Sequence, residues 1–161
     1  MSELQAMTKR IAARLIERGE MVAVSESAAG GLIATALLEV PGASRYFLGG
    51  GVVYTAAARE ALLGIGAAEM AGMRSASEPY AQLAARIVRA RLGATWGVAE
   101  TGAAGPTGNR YGDAAGHACL AVSGPVEAVR TIETRSSDRA ANMRAFALAA
   151  LALLDESLRA R

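Results

Sequence analysis

The chain of 161 residues contains a single cysteine, a single histidine and a single lysine, namely Cys119, His117 and Lys9. A lone cysteine cannot form an internal disulfide bond, and one histidine with one cysteine cannot build the usual zinc sites. We therefore expect no metal ion. Cys119 lies in an apolar run and is predicted to be buried. All other cationic residues are arginines, which stay protonated and cannot act as ordinary general bases.

Long apolar runs and a strong charge are also missing. No run reaches membrane-spanning length without a charge, and residues 1–18 are amphipathic, unlike a secretion signal. The net charge of +2 is too small to predict binding to nucleic acid or to a membrane surface. We therefore expect a cytoplasmic protein with neither nucleic acid nor membrane as a partner.

The apolar content is high, at 52%, but only 4% is aromatic, so the core is predicted to consist of Ala, Val, Leu and Ile. Helical and strand patterns alternate along the chain before a hairpin. This order predicts one domain over residues 1–161 with an α/β fold, a three-layer α/β/α sandwich around a mixed, mostly parallel sheet. The predicted helices cover residues 3–18, 32–40, 56–63, 78–92 and a final segment capped by Asp138, and the predicted strands cover 22–24, 49–54, 94–99, 116–122 and 126–134.

The segment Met21 to Gly31 carries the clearest functional signal. A short apolar run ends at Ser25, and Gly30 and Gly31 open the next apolar run. This pattern predicts a buried strand, a tight turn and a helix start, where backbone N–H groups and a helix N-terminus favour an anion. Ser27 would lie there as a nucleophile. Capping of the helix by Ser25 and Ser27 is the simpler alternative, and the segment by itself favours it.

Two further glycine-rich turns, Gly49–Gly51 and Thr101–Gly108, lie next to predicted strands. Turns beyond the strand ends of an α/β sheet share a crevice in which ligands bind. Neither a dinucleotide-binding fingerprint nor a P-loop is present, so we expect no cofactor. A serine nucleophile needs a base, and His117 or Lys9 are the candidates, although both are more simply explained as structural residues. Tyr54 ends a predicted strand and could point its hydroxyl into the crevice.

Several short motifs follow one another along the chain in the pattern of one known family. The family's Glu-Ser-Cys-Thr-Gly-Gly is Glu26-Ser27-Ala28-Ala29-Gly30-Gly31 here, and its Pro-Gly-x-Ser is Pro41-Gly42-Ala43-Ser44. The family's Thr/Ser-Gly-x-Ala-Gly-Pro loop is Thr101-Gly102-Ala103-Ala104-Gly105-Pro106. Val52-Val53-Tyr54, Leu63-Gly64, Ser77-Glu78, Gly116 and Asp138-Arg139 also match, in the same order along nearly the whole chain. By these motifs the chain resembles the CinA C-terminal domain family, which includes stand-alone nicotinamide-nucleotide amidohydrolases.

The resemblance implies hydrolysis of the carboxamide of nicotinamide mononucleotide, without a metal or cofactor, by a protein that is a homodimer. Ser27 would be the nucleophile, Tyr54 an accessory hydroxyl, and N–H groups near Gly30 and Gly31 the oxyanion donors. Thr101, Gly102 and Gly105 in the loop, together with Arg139, would bind the ribose-phosphate.

The chain departs from the family pattern next to the expected nucleophile. The lysine of Tyr-Ser-Asn-x-x-Lys is Arg59, Ala56 replaces its asparagine, and Ala28 and Ala29 replace Cys-Thr. His117 stands where the family has a threonine. Arg59 keeps the positive charge but cannot accept a proton. Three hypotheses follow: an amidase with altered activation of Ser27, a member that binds a nucleotide or phosphorylated ligand without catalysis, and a hydrolase of another amide or ester.

Overall fold

A computed structural model describes residues 1–161 as an alternation of helices and strands that closes with a hairpin and a long helix. A short 3-10 turn, Ala43–Arg45, precedes the second strand. The five helices are α1 Glu3–Arg18, α2 Leu32–Leu38, α3 Ala56–Leu63, α4 Glu78–Leu92 and α5 Arg139–Arg159. The five strands are β1 Val22–Glu26, β2 Phe47–Val52, β3 Trp96–Ala103, β4 His117–Ser123 and β5 Ala128–Glu133.

The strands form one mixed sheet in the order β2-β1-β3-β4-β5. β1 runs parallel to β2 and β3, whereas β4 runs antiparallel to β3 and β5. Helices α1, α2 and α5 contribute to the core on one face of the sheet, and α3 and α4 to the core on the other. The α/β class, the three layers and the mixed sheet are therefore confirmed, with parallel and antiparallel pairings in equal number.

The helix starts follow their capping signals. The Ser77 side chain accepts a hydrogen bond from the Tyr80 N–H, and Asp138 accepts one from the Ala141 N–H, as expected of polar N-cap residues. Strand ends differ more from the prediction. β3 continues through Ala103, because Thr101 and the two residues after it pair with β4. The start of the predicted Thr101–Gly108 loop is therefore strand.

The core consists of small and branched apolar residues, as the composition predicts. The larger cluster lies between the sheet and α1, α2 and α5, and includes the fully buried Trp96 and Phe146. The smaller cluster lies under α4 and includes Cys119, which is buried as expected. No helix combines the length and the apolar character needed to cross a membrane.

Gly50, the middle of three glycines in β2, lets the backbone of this edge strand come close to β1. A Cβ on Gly50 would lie 2.1 Å from the carbonyl oxygen of Val24, with which Gly50 is paired. A Cβ on its neighbour Gly51 would make only ordinary van der Waals contacts, with the side chains of Leu62 at 3.6 Å and Val53 at 3.9 Å. Since the Val24 atom belongs to the backbone, only a shift of the strand could accommodate the first side chain.

We expect Gly50→Ala to lower the free energy of unfolding by about 2 kcal/mol or more, because overpacking against backbone forces the strands apart. Gly51→Ala is the matched control and should change it by less than about 1 kcal/mol. Urea denaturation of both variants measures the difference. Equal stability of the two variants would contradict the close approach of β2 to β1.

Candidate active site

The turn between β1 and α2 is organised by the carboxylate of Glu26, the last residue of β1. Its side chain is buried and accepts hydrogen bonds from the N–H groups of Gly31 at 3.1 Å, Ile33 at 2.8 Å and Ala34 at 2.9 Å. These are the first N–H groups of α2, which have no partner within the helix. Glu26 therefore caps α2 and holds it against the end of the strand.

A second buried carboxylate, Glu100 of β3, binds the preceding part of the same turn. Its Oε2 atom accepts hydrogen bonds from the Ser27 N–H at 2.9 Å and from the Ala29 N–H at 2.8 Å. Its Oε1 atom is buried and has no hydrogen-bond partner. The backbone of Ser27 is thereby fixed from β3, a strand more than 70 residues further along the chain.

Burial changes the acidity of both carboxyl groups. Desolvation raises the pKa of Glu100 to about 7, against the opposing effect of the N–H groups of Ala29 and Ser27. The neighbouring charge of Glu26 raises it further. Desolvation also raises the pKa of Glu26, and its three N–H donors partly oppose that shift. The shifts arise because a carboxylate loses its hydration when it is buried and the turn replaces only part of it.

These contacts correct two predictions about the turn. Neither Ser25 nor Ser27 caps α2, because the Glu26 carboxylate already occupies the N–H groups of its first turn. The N–H groups of Gly30 and Gly31 are also engaged, by the Ser27 carbonyl and by Glu26 respectively. Since both donate within the protein, they are not free oxyanion donors in this structure, and neither glycine lines the cavity described next.

A cavity of about 230 Å³ opens beside Ser27. Its wall is rich in hydroxyl groups and contains one charged side chain, Arg59. It is formed by the ends of β1 and β3, the segment after β2, α3, the start of α4 and the two loops that precede α4 and β4. The lining residues are Ser27, Val53, Tyr54, Thr55, Arg59, Ser75, Ala76, Tyr80, Thr101, Gly102, Asn109 and Tyr111.

At the open side of the cavity, Arg139 connects Tyr54 with Gly105. Arg139 donates one hydrogen bond to the Tyr54 hydroxyl at 3.1 Å and another to the Gly105 carbonyl. Thr101 and Gly102 line the cavity, but the Thr101 hydroxyl accepts a hydrogen bond from the Ala76 N–H and so supports the wall. Tyr54, Thr101 and Gly102 thus line the cavity, and Arg139 connects Gly105 with the Tyr54 hydroxyl.

Arg59 lies in the cavity wall and contacts neutral groups. Its Nη1 donates to the Ser75 hydroxyl at 3.0 Å, and its guanidinium carbon lies 5.4 Å from the centre of the Tyr80 ring. Its Nε atom is buried without a hydrogen-bond partner. Ser27, Tyr54 and Arg59, the three predicted catalytic residues, therefore share one cavity, although no hydrogen bond joins Arg59 to Ser27.

Neither candidate base in the sequence reaches Ser27. The ring of His117 contacts the Glu133 carboxylate at 2.5 Å and the Ala76 carbonyl at 2.8 Å. Burial lowers the pKa of His117, but the hydrogen bonds to Glu133 and Ala76 and the charge of Asp113 outweigh it and raise the pKa overall. Lys9 is exposed on α1, in a separate depression. His117 instead holds Ala76, which has a left-handed φ of 53°.

The sequence motifs did not indicate the carboxylate under the turn or about half of the residues of the cavity wall. Glu100 had a signal, because a glutamate that continues an apolar strand must find donors when it is buried. Ser75, Tyr80, Asn109 and Tyr111 had no comparable signal, since long-range packing brings them to the cavity. Their residue types are common in ordinary loops and helix starts.

Comparison with known proteins agrees with this architecture. The family model of the CinA C-terminal domain matches residues 4–158. A CinA-like protein of Anaeromyxobacter dehalogenans strain 2CP-C is 42% identical over 149 residues, which are 92% of this chain and 36% of that protein. A CinA-like protein of Gloeobacter violaceus is 41% identical over 124 residues, covering 77% of this chain and 29% of that protein. The chain thus spans about a third of the length of these curated relatives.

Solved structures match the whole domain. A CinA superfamily protein of Klebsiella pneumoniae 700603 superposes with a TM-score of 0.92 at 26% identity. The match covers 99% of this chain and 100% of that chain. The competence/damage inducible protein CihA of Agrobacterium tumefaciens superposes with a TM-score of 0.87 at 31% identity, covering 99% and 97%. The fold is therefore shared with these two solved chains over nearly their full length.

The raised pKa of Glu100 predicts a pH-dependent stability. The carboxyl group titrates near 4.5 in the unfolded chain and near 7 in the fold, so between these pH values the folded protein binds the extra proton. This group should therefore make the free energy of unfolding fall as pH rises from 4.5 to 7, by about 2–3 kcal/mol. Glu100→Gln should remove that component from urea denaturation curves measured across this range.

The control for this measurement is Glu17→Gln, which removes an exposed carboxyl group of α1. It should leave the slope of stability against pH close to that of the unsubstituted protein. If Glu100→Gln and Glu17→Gln give the same slope, Glu100 does not titrate near neutral pH.

Proposed function

Because this chain belongs to the CinA C-terminal domain family, we propose that it is an amidohydrolase of nicotinamide mononucleotide. The reaction converts the ring carboxamide to a carboxylate and releases ammonia, and Ser27 is the nucleophile. The observation that carries the proposal is the position of Ser27. Two buried carboxylates fix the turn that contains Ser27, and Ser27 lines a cavity together with Tyr54 and Arg59.

The chemistry follows that of other serine acyl-transfer reactions. The Ser27 oxygen attacks the carboxamide carbon, a tetrahedral intermediate collapses, the C–N bond breaks and ammonia leaves. Water then cleaves the resulting ester and regenerates the serine. The positive charge of Arg59 stabilises negative charge on the attacking or carbonyl oxygen, but it accepts no proton. The serine proton therefore passes, directly or through water, to the amide nitrogen that leaves as ammonia, and this transfer without a base makes the first step slow.

A second function, binding without turnover, is favoured by one observation. Neither candidate base is available to Ser27, since His117 binds Glu133 and Ala76 and Lys9 lies in a separate depression. A serine that loses its activating partner commonly loses several orders of magnitude in rate. A member of this kind would keep the cavity for a nucleotide or another phosphorylated ligand and act through binding.

The partner that we propose is in both cases a small phosphorylated molecule. The cavity of about 230 Å³ has a scale suited to the aromatic end of a nucleotide, and Arg139 at its opening suits a phosphate. We further propose a cytoplasmic homodimer, which size-exclusion chromatography with light scattering would test.

The amidase proposal predicts ammonia and nicotinic acid mononucleotide in equal amounts when purified protein is incubated with nicotinamide mononucleotide. Ser27→Ala should abolish both products, and Ser44→Ala, which removes an exposed serine, should abolish neither. Chromatography of the nucleotides together with an ammonia assay measures the outcome. Unchanged turnover by Ser27→Ala would reject the nucleophile, and binding of the nucleotide without any ammonia would favour the second function.

A lysine at position 59 should speed the reaction, because its amine can be neutral and accept the serine proton. General acid–base groups contribute about 10²–10⁴-fold, so we expect Arg59→Lys to raise kcat by roughly 10²-fold at alkaline pH. Arg45→Lys, on the exposed 3-10 turn, is the matched control and should leave kcat unchanged. If Arg59→Lys does not exceed the unsubstituted protein, the missing base is not what limits the rate.

A further inference from the structure

The cavity contains a positive charge that no carboxylate of the protein neutralises. Arg59 is the one charged residue in the cavity wall, and it takes part in none of the salt bridges of the chain. Its contacts are the Ser75 hydroxyl and the face of Tyr80, and its Nε donor has no acceptor. A guanidinium held in this way lacks the anionic partner that such groups normally have when they are partly buried.

The surrounding charges do not supply that partner. Asp113 is engaged by Arg74 through two hydrogen bonds, at 2.6 and 3.1 Å, so that pair is neutral overall. Glu100 does not bind Arg59 either. One of its carboxylate oxygens accepts hydrogen bonds from N–H groups of the turn, and the other is buried without a hydrogen-bond partner. No carboxylate of the chain therefore forms an ion pair with the Arg59 guanidinium.

A second guanidinium without a carboxylate partner lies at the opening. Arg139 contacts only the neutral Tyr54 hydroxyl and the Gly105 carbonyl. Tyr54 itself lines the cavity, so one continuous surface connects Arg139 with Arg59. Two such groups on one surface fit a ligand that carries an anionic group at each end.

We propose that the site binds the acid form of the pyridine nucleotide in preference to the amide form, with Arg59 receiving the ring carboxylate and Arg139 the phosphate. The identity of this ligand rests on the proposed function, whose product it is. A guanidinium pairs with both oxygens of a carboxylate through parallel N–H donors, and a carboxamide offers it only one acceptor.

The charge of the ring strengthens this preference. The pyridinium ring of either nucleotide is positive and is repelled by Arg59 in a partly dry cavity. The carboxylate of the acid form cancels that repulsion, whereas the neutral carboxamide of the amide form does not. The protein would then retain its own product, or, if it does not turn over, distinguish the two nucleotides by their binding.

Isothermal titration calorimetry tests the preference directly. Nicotinic acid mononucleotide and nicotinamide mononucleotide are each titrated into the Ser27→Ala protein, in which the amide cannot be hydrolysed by the proposed route. We expect the acid form to bind about tenfold or more tightly, the effect of hydrogen bonds to a charged group. Equal affinities, tighter binding of the amide, or no binding of either nucleotide would overturn the inference.

Substitution of Arg59 and Arg139 tests which of the two arginines causes the preference for the acid form. Added to the Ser27→Ala protein, Arg59→Met should make the affinities equal, whereas Arg139→Met should weaken both nucleotides and keep their ratio. Arg45→Met is the control and should change neither. A preference that survives Arg59→Met would overturn the assignment. Circular dichroism shows whether each variant is folded. If an arginine variant does not fold, the ratio of the two affinities in the Ser27→Ala protein still tests the preference.

The ammonia assay separates this inference from the proposed function. Ammonia release together with equal affinities for the two nucleotides would support the amidase proposal and reject Arg59 as a binding site for the ring carboxylate. Preferential binding of the acid form without ammonia release would support the carboxylate site and reject the amidase.

Discussion

The geometry of the site depends on two buried carboxylates that bind the backbone of one turn. Glu26 and Glu100 together accept hydrogen bonds from five N–H groups between Ser27 and Ala34. Removing carboxylates from water is costly, and these N–H donors offset part of that cost. The same bonds fix the end of β1, the start of α2 and Ser27 relative to β3, so the cavity next to Ser27 follows from them.

Local signals predicted most of the fold. Ser77 and Asp138 cap helices as expected, and the apolar runs around Val24 and Val98 form adjacent central strands. The ends of β2 and β3 were less predictable, because strand length depends on the partner strand. Thr101 resembles a loop residue in the sequence, yet it lies opposite Cys119 in an antiparallel pair.

The candidate site was only partly predictable for a similar reason. Ser27, Tyr54 and Arg59, which the motifs singled out, line one cavity. The motifs did not indicate that the N–H groups of Ser27 and Ala29 are already used, because their acceptor, Glu100, lies in another strand. General rules describe what a helix start can bind. Tertiary structure decides whether the protein itself supplies the anion.

The internal carboxylates also affect the thermodynamics of ligand binding. Since the N–H groups of the turn are satisfied without a ligand, the turn is ordered before any ligand arrives. Its conformational entropy is lost during folding, so this segment adds little ordering cost to association. The affinity of the cavity then depends mainly on its direct contacts with the ligand. A small change in the charge of the ligand therefore changes the affinity without a compensating change in the order of the turn.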